Sequence, residues 1–115
     1  MPSFKAKRIS SDIAKYINEI LLTEVRDELL KTITITGCNV TSDLGLCKVY
    51  FTSISDLDKK TLEKEVNQAS SFIRGRLSEK IELRHTPELR FIYDESIEYG
   101  NKIEKIIEKI ESQNK

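Results

Sequence analysis

The sequence predicts an α+β domain in which a three-stranded mixed sheet is covered by helices, in the order α-β-β-α-(kink)-α-β-α. Three observations carry this. Apolar residues recur at helical spacing over residues 10–30 and again over 58–81. Between them, β-branched residues crowd two short runs separated by a turn. Strict alternation then resumes directly after Pro87, and the helix-length crossover before it is what a parallel or mixed pairing requires.

The first helix is expected over 10–30. Ser10 or Ser11 caps it, because a side-chain oxygen satisfies an orphan N–H of the first turn. Ile13, Ile17, Ile20, Leu21, Val25 and Leu29 form its buried stripe, and Lys15, Asn18, Glu19 and Arg26 fall on the wet side. Residues 32–41 are stiff at the first side-chain torsion and favour a strand. Ser42-Asp43-Leu44-Gly45 supplies turn chemistry. In the strand over 46–53, Cys47, Val49 and Phe51 share one face, and Lys48, Tyr50 and Thr52 share the other. The two strands make an antiparallel pair.

Asp58 is a good N-cap for a second helical region reaching residue 81, with the stripe Leu62, Val66, Ala69, Ile73 and Leu77 and with Phe72 beside it. Consecutive serines favour side-chain-to-backbone bonds over regular helix, so a kink or helix–turn–helix is expected at 69–71. Leu89, Phe91 and Tyr93 then alternate with Arg90, Ile92 and Asp94 in a third strand. A last helix is expected from Ser96 with Ile103, Ile106, Ile107 and Ile110; Gly100 costs its first turns about 1 kcal/mol relative to alanine.

At 115 residues the chain makes one domain, 1–115, able to bury roughly two-thirds of its extended surface without a disulfide or metal. Residues 1–8 read as a flexible basic arm and 112–115 as a frayed end. The 19 basic and 19 acidic residues cancel in total, but their distribution is uneven. Arg74, Arg76, Lys80, Arg84 and Arg90 dominate residues 74–90, whereas acidic residues dominate 94–111. No segment approaches the ~20 apolar residues of a membrane span. The charged N-terminus lacks a signal peptide's apolar run, so a soluble cytosolic protein is expected. Cys38 and Cys47 fit that compartment as thiols; they could approach each other across the hairpin, and a disulfide is the lesser reading. Zinc would need more clustered ligands.

A helix that breaks with cations downstream can bring N–H groups and positive charge to a phosphate chain. The candidate RNA-binding residues are therefore Ala69, Ser70 and Ser71 at the break, and Arg74, Arg76, Lys80, Arg84 and Arg90 after it. Lys5, Lys7 and Arg8 on the arm either wrap a phosphate backbone or merely aid solubility. Against this stands the plainer reading that the mixed charges pair with Glu79, Glu82 and Glu88 and solvate a helix. Phe51, Phe72, Phe91 and Tyr93 are expected in the core, Tyr50 is the one candidate for an exposed ring, and His85 reads as a solvated loop residue. An enzyme is not expected, because there is no phosphate-binding glycine loop, no nucleophile with a visible base and no cluster of metal ligands. No cofactor is expected either.

The order of elements resembles a type II KH fold, which presents a loop between two helices to a nucleic-acid backbone. More narrowly, the chain resembles the ribosome-binding factor A family. The matching residues are Arg8-Ile9, Thr34-Ile35-Thr36, Asp43-Leu44, Lys48-Val49-Tyr50-Phe51, Ala69-Ser70-Ser71-Phe72-Ile73-Arg74, Leu83-Arg84, Pro87-Glu88-Leu89, Phe91, Tyr93-Asp94, Ser96 and Gly100. The family usually carries an Ala-x-Gly kink; Ser71 stands here in place of the glycine, where a left-handed backbone would cost roughly 1 kcal/mol or more. The resemblance implies a non-catalytic assembly factor linked to growth in the cold. It would bind immature 30S subunits and their 16S rRNA, near the end awaiting processing, and leave before translation. An assembly GTPase is an implied partner and a monomer the default state. The alternative is a protein-interaction module that binds a ribosomal protein or that GTPase through Glu104, Glu108 and Glu111 of the acidic last helix.

Overall fold

The apolar stripes and alternating strands close against each other in a computed structural model that describes residues 4–96, with side chains from residue 6. Helix α1 is Phe4–Thr23, a short 3-10 helix follows at Leu30–Thr32, and the hairpin strands are β1, Ile33–Val40, and β2, Leu46–Ser53. Then come α2, Lys59–Gln68, α3, Ser70–Lys80, and β3, Glu88–Tyr93. The sheet order is β1-β2-β3, antiparallel for the first pair and parallel for the second. All three α-helices pack on one face of the sheet, over a core centred on Phe51, Phe91, Ile13, Ile17, Ile73 and Leu77. The expected helix from Ser96 lies almost wholly outside the described residues, as do Ile103, Ile106, Ile107 and Ile110.

The first helix departs from expectation at both ends. It begins at Phe4, so the basic arm is helical where it is described. The reason is a further turn of the apolar stripe: Ala6 and Ile9 are buried and continue Ile13, Ile17 and Ile20 upstream. Ser10 is therefore inside the helix and caps nothing; its Oγ accepts from Val40 N–H at 3.1 Å. The helix stops at Thr23, and the Asp27 carboxylate accepts from Leu29 N–H at 2.8 Å, a turn contact that competes with helix. The 3-10 turn then places Leu30, rather than Leu29, in the core.

Asn18 is not wet either. Its amide donates to Ile35 C=O at 3.2 Å and accepts from Ile35 N–H at 2.8 Å, doing for the outer edge of β1 what another strand would do. The hairpin turn also differs in detail. Gly45 does not take the left-handed position; Leu44 does, at φ 60°. Gly45 serves close approach instead, since its N–H donates to Asp43 Oδ1 at 2.9 Å and a Cβ there would meet that oxygen at 3.3 Å.

Three aspartates tie local structure. Asp43 accepts from Thr41 and Gly45, Asp58 caps α2 through Thr61 N–H at 2.7 Å, and Asp94 accepts from Ser96 and Thr36. These bonds favour the charged form and hold each carboxyl below its ordinary pKa, with the partners Thr41, Thr61 and Ser96 contributing most. A lowered folded value means stability that is present above the unfolded carboxylate range and is lost as pH falls through the folded values. The urea midpoint is expected to fall as pH drops below about 4, the unfolded aspartate value. The combined Asp43→Asn, Asp58→Asn, Asp94→Asn variant should flatten that slope; an unchanged profile would assign the acid lability elsewhere.

Candidate nucleic-acid interface

The helix break falls where the serine pair predicts it, and it is mild. Ala69, at φ −90° and ψ 1°, ends α2 and begins α3. Its N–H bonds to Val66 C=O and its C=O receives Ile73 N–H, both at 3.0 Å, so a single turn residue interrupts the helical ladder and joins the two helices. Ser71 lies within α3, and Leu44 is the only non-glycine residue with positive φ among those described. The glycine expected at 71 is therefore dispensable here, because no left-handed residue is needed to turn the chain.

What the break achieves is alignment of α2 and α3 along the outer edge of β3. Asn67 donates to Phe91 C=O and accepts from Phe91 N–H, both at 2.9 Å, mirroring Asn18 on β1. Glu63 accepts from Tyr93 N–H at 2.9 Å, and Ser70 Oγ donates to Leu89 C=O at 2.7 Å. Arg74 extends this series: its guanidinium donates twice to Thr86 C=O, at 3.1 and 2.7 Å, and fixes the loop between α3 and β3. Ser70 and Arg74 thus have structural duties that spacing alone does not reveal.

The predicted cations do not share one surface. Ser71, Arg74 and Arg84 line a shallow groove with Gly75, Ser78 and His85, between the start of α3 and the loop before β3. Arg76 lies one turn further round, 3.6 Å from Glu79 and 5.5 Å above the Phe72 ring. Lys80 turns away toward α1, reaching Glu24 at 3.4 Å and Glu19 at 3.5 Å. Burial opposes its charge, and the two carboxylates more than offset that, so its pKa rises. Arg8 lines a second groove beside Lys80, and Lys7 a third between α1 and β1. Arg90 is exposed on the opposite face of the sheet, and the Lys5 side chain lies outside the described residues. Ala69 and Ser70 are half-buried and do not line the groove.

Phe72 corrects the expectation that it belongs to the core: it is 45 % exposed. Ile73 takes the inward position on α3, and adjacent helix positions diverge by about 100°. Phe51 and Phe91 are buried as expected, and Tyr93 packs edge-on against Phe51 at 5.6 Å. His85, read as a solvated residue, is exposed but borders the groove, which only folding of the 81–87 loop could show. Cys47 is buried and Cys38 half-buried, both free thiols. The neighbouring Cys47 thiol, with burial, raises the Cys38 pKa, and the Cys38 thiol lowers that of Cys47. Among the described residues no group of three His, Cys, Asp or Glu could hold a metal, and no helix is long and apolar enough to cross a membrane. This inventory suits anion binding by guanidinium groups and hydroxyls.

Comparison with known proteins agrees with this fold. A family model described as "Ribosome-binding factor A" matches residues 5–107. The chain belongs to the ribosome-binding factor A family. It is 37 % identical over 114 residues to ribosome-binding factor A of Ligilactobacillus salivarius, covering 97 % of this chain and 96 % of that one. It is 40 % identical over 109 residues to that of Staphylococcus carnosus, covering 94 % and 95 %. The crystal structure of ribosome-binding factor A from Thermus thermophilus superposes with a TM-score of 0.69 at 15 % identity, covering 76 % of this chain and 93 % of that chain. A homology model of the Thermus thermophilus factor, fitted into a cryo-EM map of a 30S complex, gives 0.64 at 14 %, over 78 % and 96 %. These likenesses establish that the family's fold is present here.

The two arginines of the groove separate by role. Arg74→Lys keeps the charge but gives up the two-pronged bond to Thr86, and should lower stability by about 1 kcal/mol. Arg84→Ala, with no intramolecular partner to lose among the described residues, should unfold at the native midpoint. Equal destabilisation of both in urea titrations would show that Arg74 does not hold the loop.

Proposed function

We propose that this protein is a non-catalytic assembly factor that binds the immature 30S subunit through its 16S rRNA, and that the groove at the α2–α3 break receives the RNA backbone. The observation that carries this is the groove itself, where Arg84 projects without a carboxylate partner among the described residues beside the Arg74 guanidinium and the exposed Ser71. Exposed cations left unpaired attract a phosphate chain, whereas Lys80 and Arg76 already satisfy carboxylates. Support for the partner comes from the family's name and from the Thermus thermophilus factor, which shares this fold and has been fitted into a 30S complex. Support of late maturation and 5′-end processing of the rRNA, a cytoplasmic location, a monomeric state and release by an assembly GTPase belong to the same reading. Lys7 and Arg8, exposed on the first turns of α1, are secondary contacts.

Arg84→Glu combined with His85→Glu should reduce co-sedimentation with immature small subunits by about tenfold or more. The salt dependence of the remaining binding should flatten by roughly 0.7–0.9 in log–log slope for each phosphate no longer neutralised. Because neither residue holds the fold together, thermal unfolding is the control and should not move. Native-like co-sedimentation of this variant would overturn the assignment of the groove.

A further inference from the structure

The sheet face turned away from the described helices carries a charge arrangement that the described residues do not explain. Lys48 and Arg90 are register partners on the parallel strands β2 and β3, and both are exposed. Adjacent strands lie about 4.8 Å apart. Like charges directly opposite each other are destabilising in a sheet. Among the described residues neither has an ion-pair or hydrogen-bond partner. Glu88 begins β3 on the same face without pairing to Arg90, and Asp94, at its far end, is engaged by Thr36 and Ser96. Asn39, the register partner of Lys48 on β1, completes a polar row across all three strands.

The next row on that face is Gly37, Tyr50 and Ile92. It lies about 7 Å further along the strands, two residues away. Tyr50 and Ile92 are half-buried, with one side of each open to solvent. Gly37 contributes no side chain, and a Cβ built there would meet nothing within 4 Å, so among the described residues nothing stands over the surface beside Tyr50. None of the described helices covers this face, since α1 packs on β1 and α2 and α3 pack on β3 from the other side.

We propose that the open face of the sheet is a second RNA-binding surface, on which Lys48 and Arg90 hold a phosphate of a single-stranded segment and Tyr50 stacks a nearby base. The row-to-row spacing is comparable to the span between a phosphate and the base it carries. An unpaired strand is required because a base must be unstacked to lie on a side-chain ring. The proposal rests on the reading of an RNA-bound protein but not on the groove at the α2–α3 break, which lies on the helical side of the sheet. The two surfaces would let one small domain hold two RNA segments at once.

The test uses the whole chain and a short oligouridine, single-stranded or annealed to its complement, with binding followed by fluorescence anisotropy. The single strand is expected to bind better than the duplex. Tyr50→Leu should weaken it about tenfold, the size of one base stack, while Tyr50→Phe binds as the native protein does. Lys48→Ala with Arg90→Ala should flatten the salt dependence by roughly 0.7 per phosphate released from the surface. The Tyr50→Leu loss should keep its size when measured in the Arg84→Glu background, which separates failure of this proposal from failure of the groove. Native-like oligouridine binding by Tyr50→Leu and by the double variant would overturn the proposal. Should those variants lose subunit binding while still binding oligouridine normally, the face would be a protein-docking surface and the proposal would fall.

Discussion

Both edges of the sheet are closed by amide side chains from helices, and the rest of the molecule is arranged around that closure. Asn18 on α1 exchanges two hydrogen bonds with Ile35 on β1, and Asn67 on α2 exchanges two with Phe91 on β3. An exposed edge strand is a template for unwanted pairing, and a three-stranded sheet has two edges for only one central strand. Each asparagine satisfies a donor and an acceptor that a fourth strand would otherwise take. In doing so it fixes the height of its helix along the strand, since a slip of one residue would present the wrong backbone groups.

That constraint explains why the helix break matters even without a glycine. A straight rod over residues 59–80 would run off the line of β3. Bending at Ala69 lets Glu63, Asn67 and Ser70 meet successive groups of the strand, and lets Arg74 reach Thr86 beyond its start. The groove follows as a by-product: one end of α3 is bound to β3, and the loop fixed by Arg74 stands beside it. The other end of α3 is held by Lys80 between Glu19 and Glu24 of the α1 region. Cations that looked alike in sequence therefore divide into those engaged within the domain and those without a partner among the described residues. Arg84 on the helical side, and Lys48 with Arg90 on the other sheet face, have no ion-pair partner among the described residues and are the ones proposed to meet RNA.

The division between sequence and tertiary structure follows the range of the forces involved. Periodicity was sufficient for the body of the first helix, the helices around the break, the hairpin, the Asp58 cap and the strand after Pro87, because burial of one face acts on every residue of an element. The break at 69–71 was legible as well, since serines compete locally for the backbone. The family resemblance rested on short pieces at fixed spacings and needed no coordinates. Tertiary structure alone decided that α1 starts at Phe4, that Asn18 and Ser10 face β1, and that Phe72 points outward while Ile73 points in. It alone sorted Arg74 and Lys80 from Arg84. A side chain's periodicity shows which face of its own element it occupies, but its hydrogen-bond and ion-pair partners lie up to 61 residues away in the chain. Those partners exist only once the sheet and helices have met.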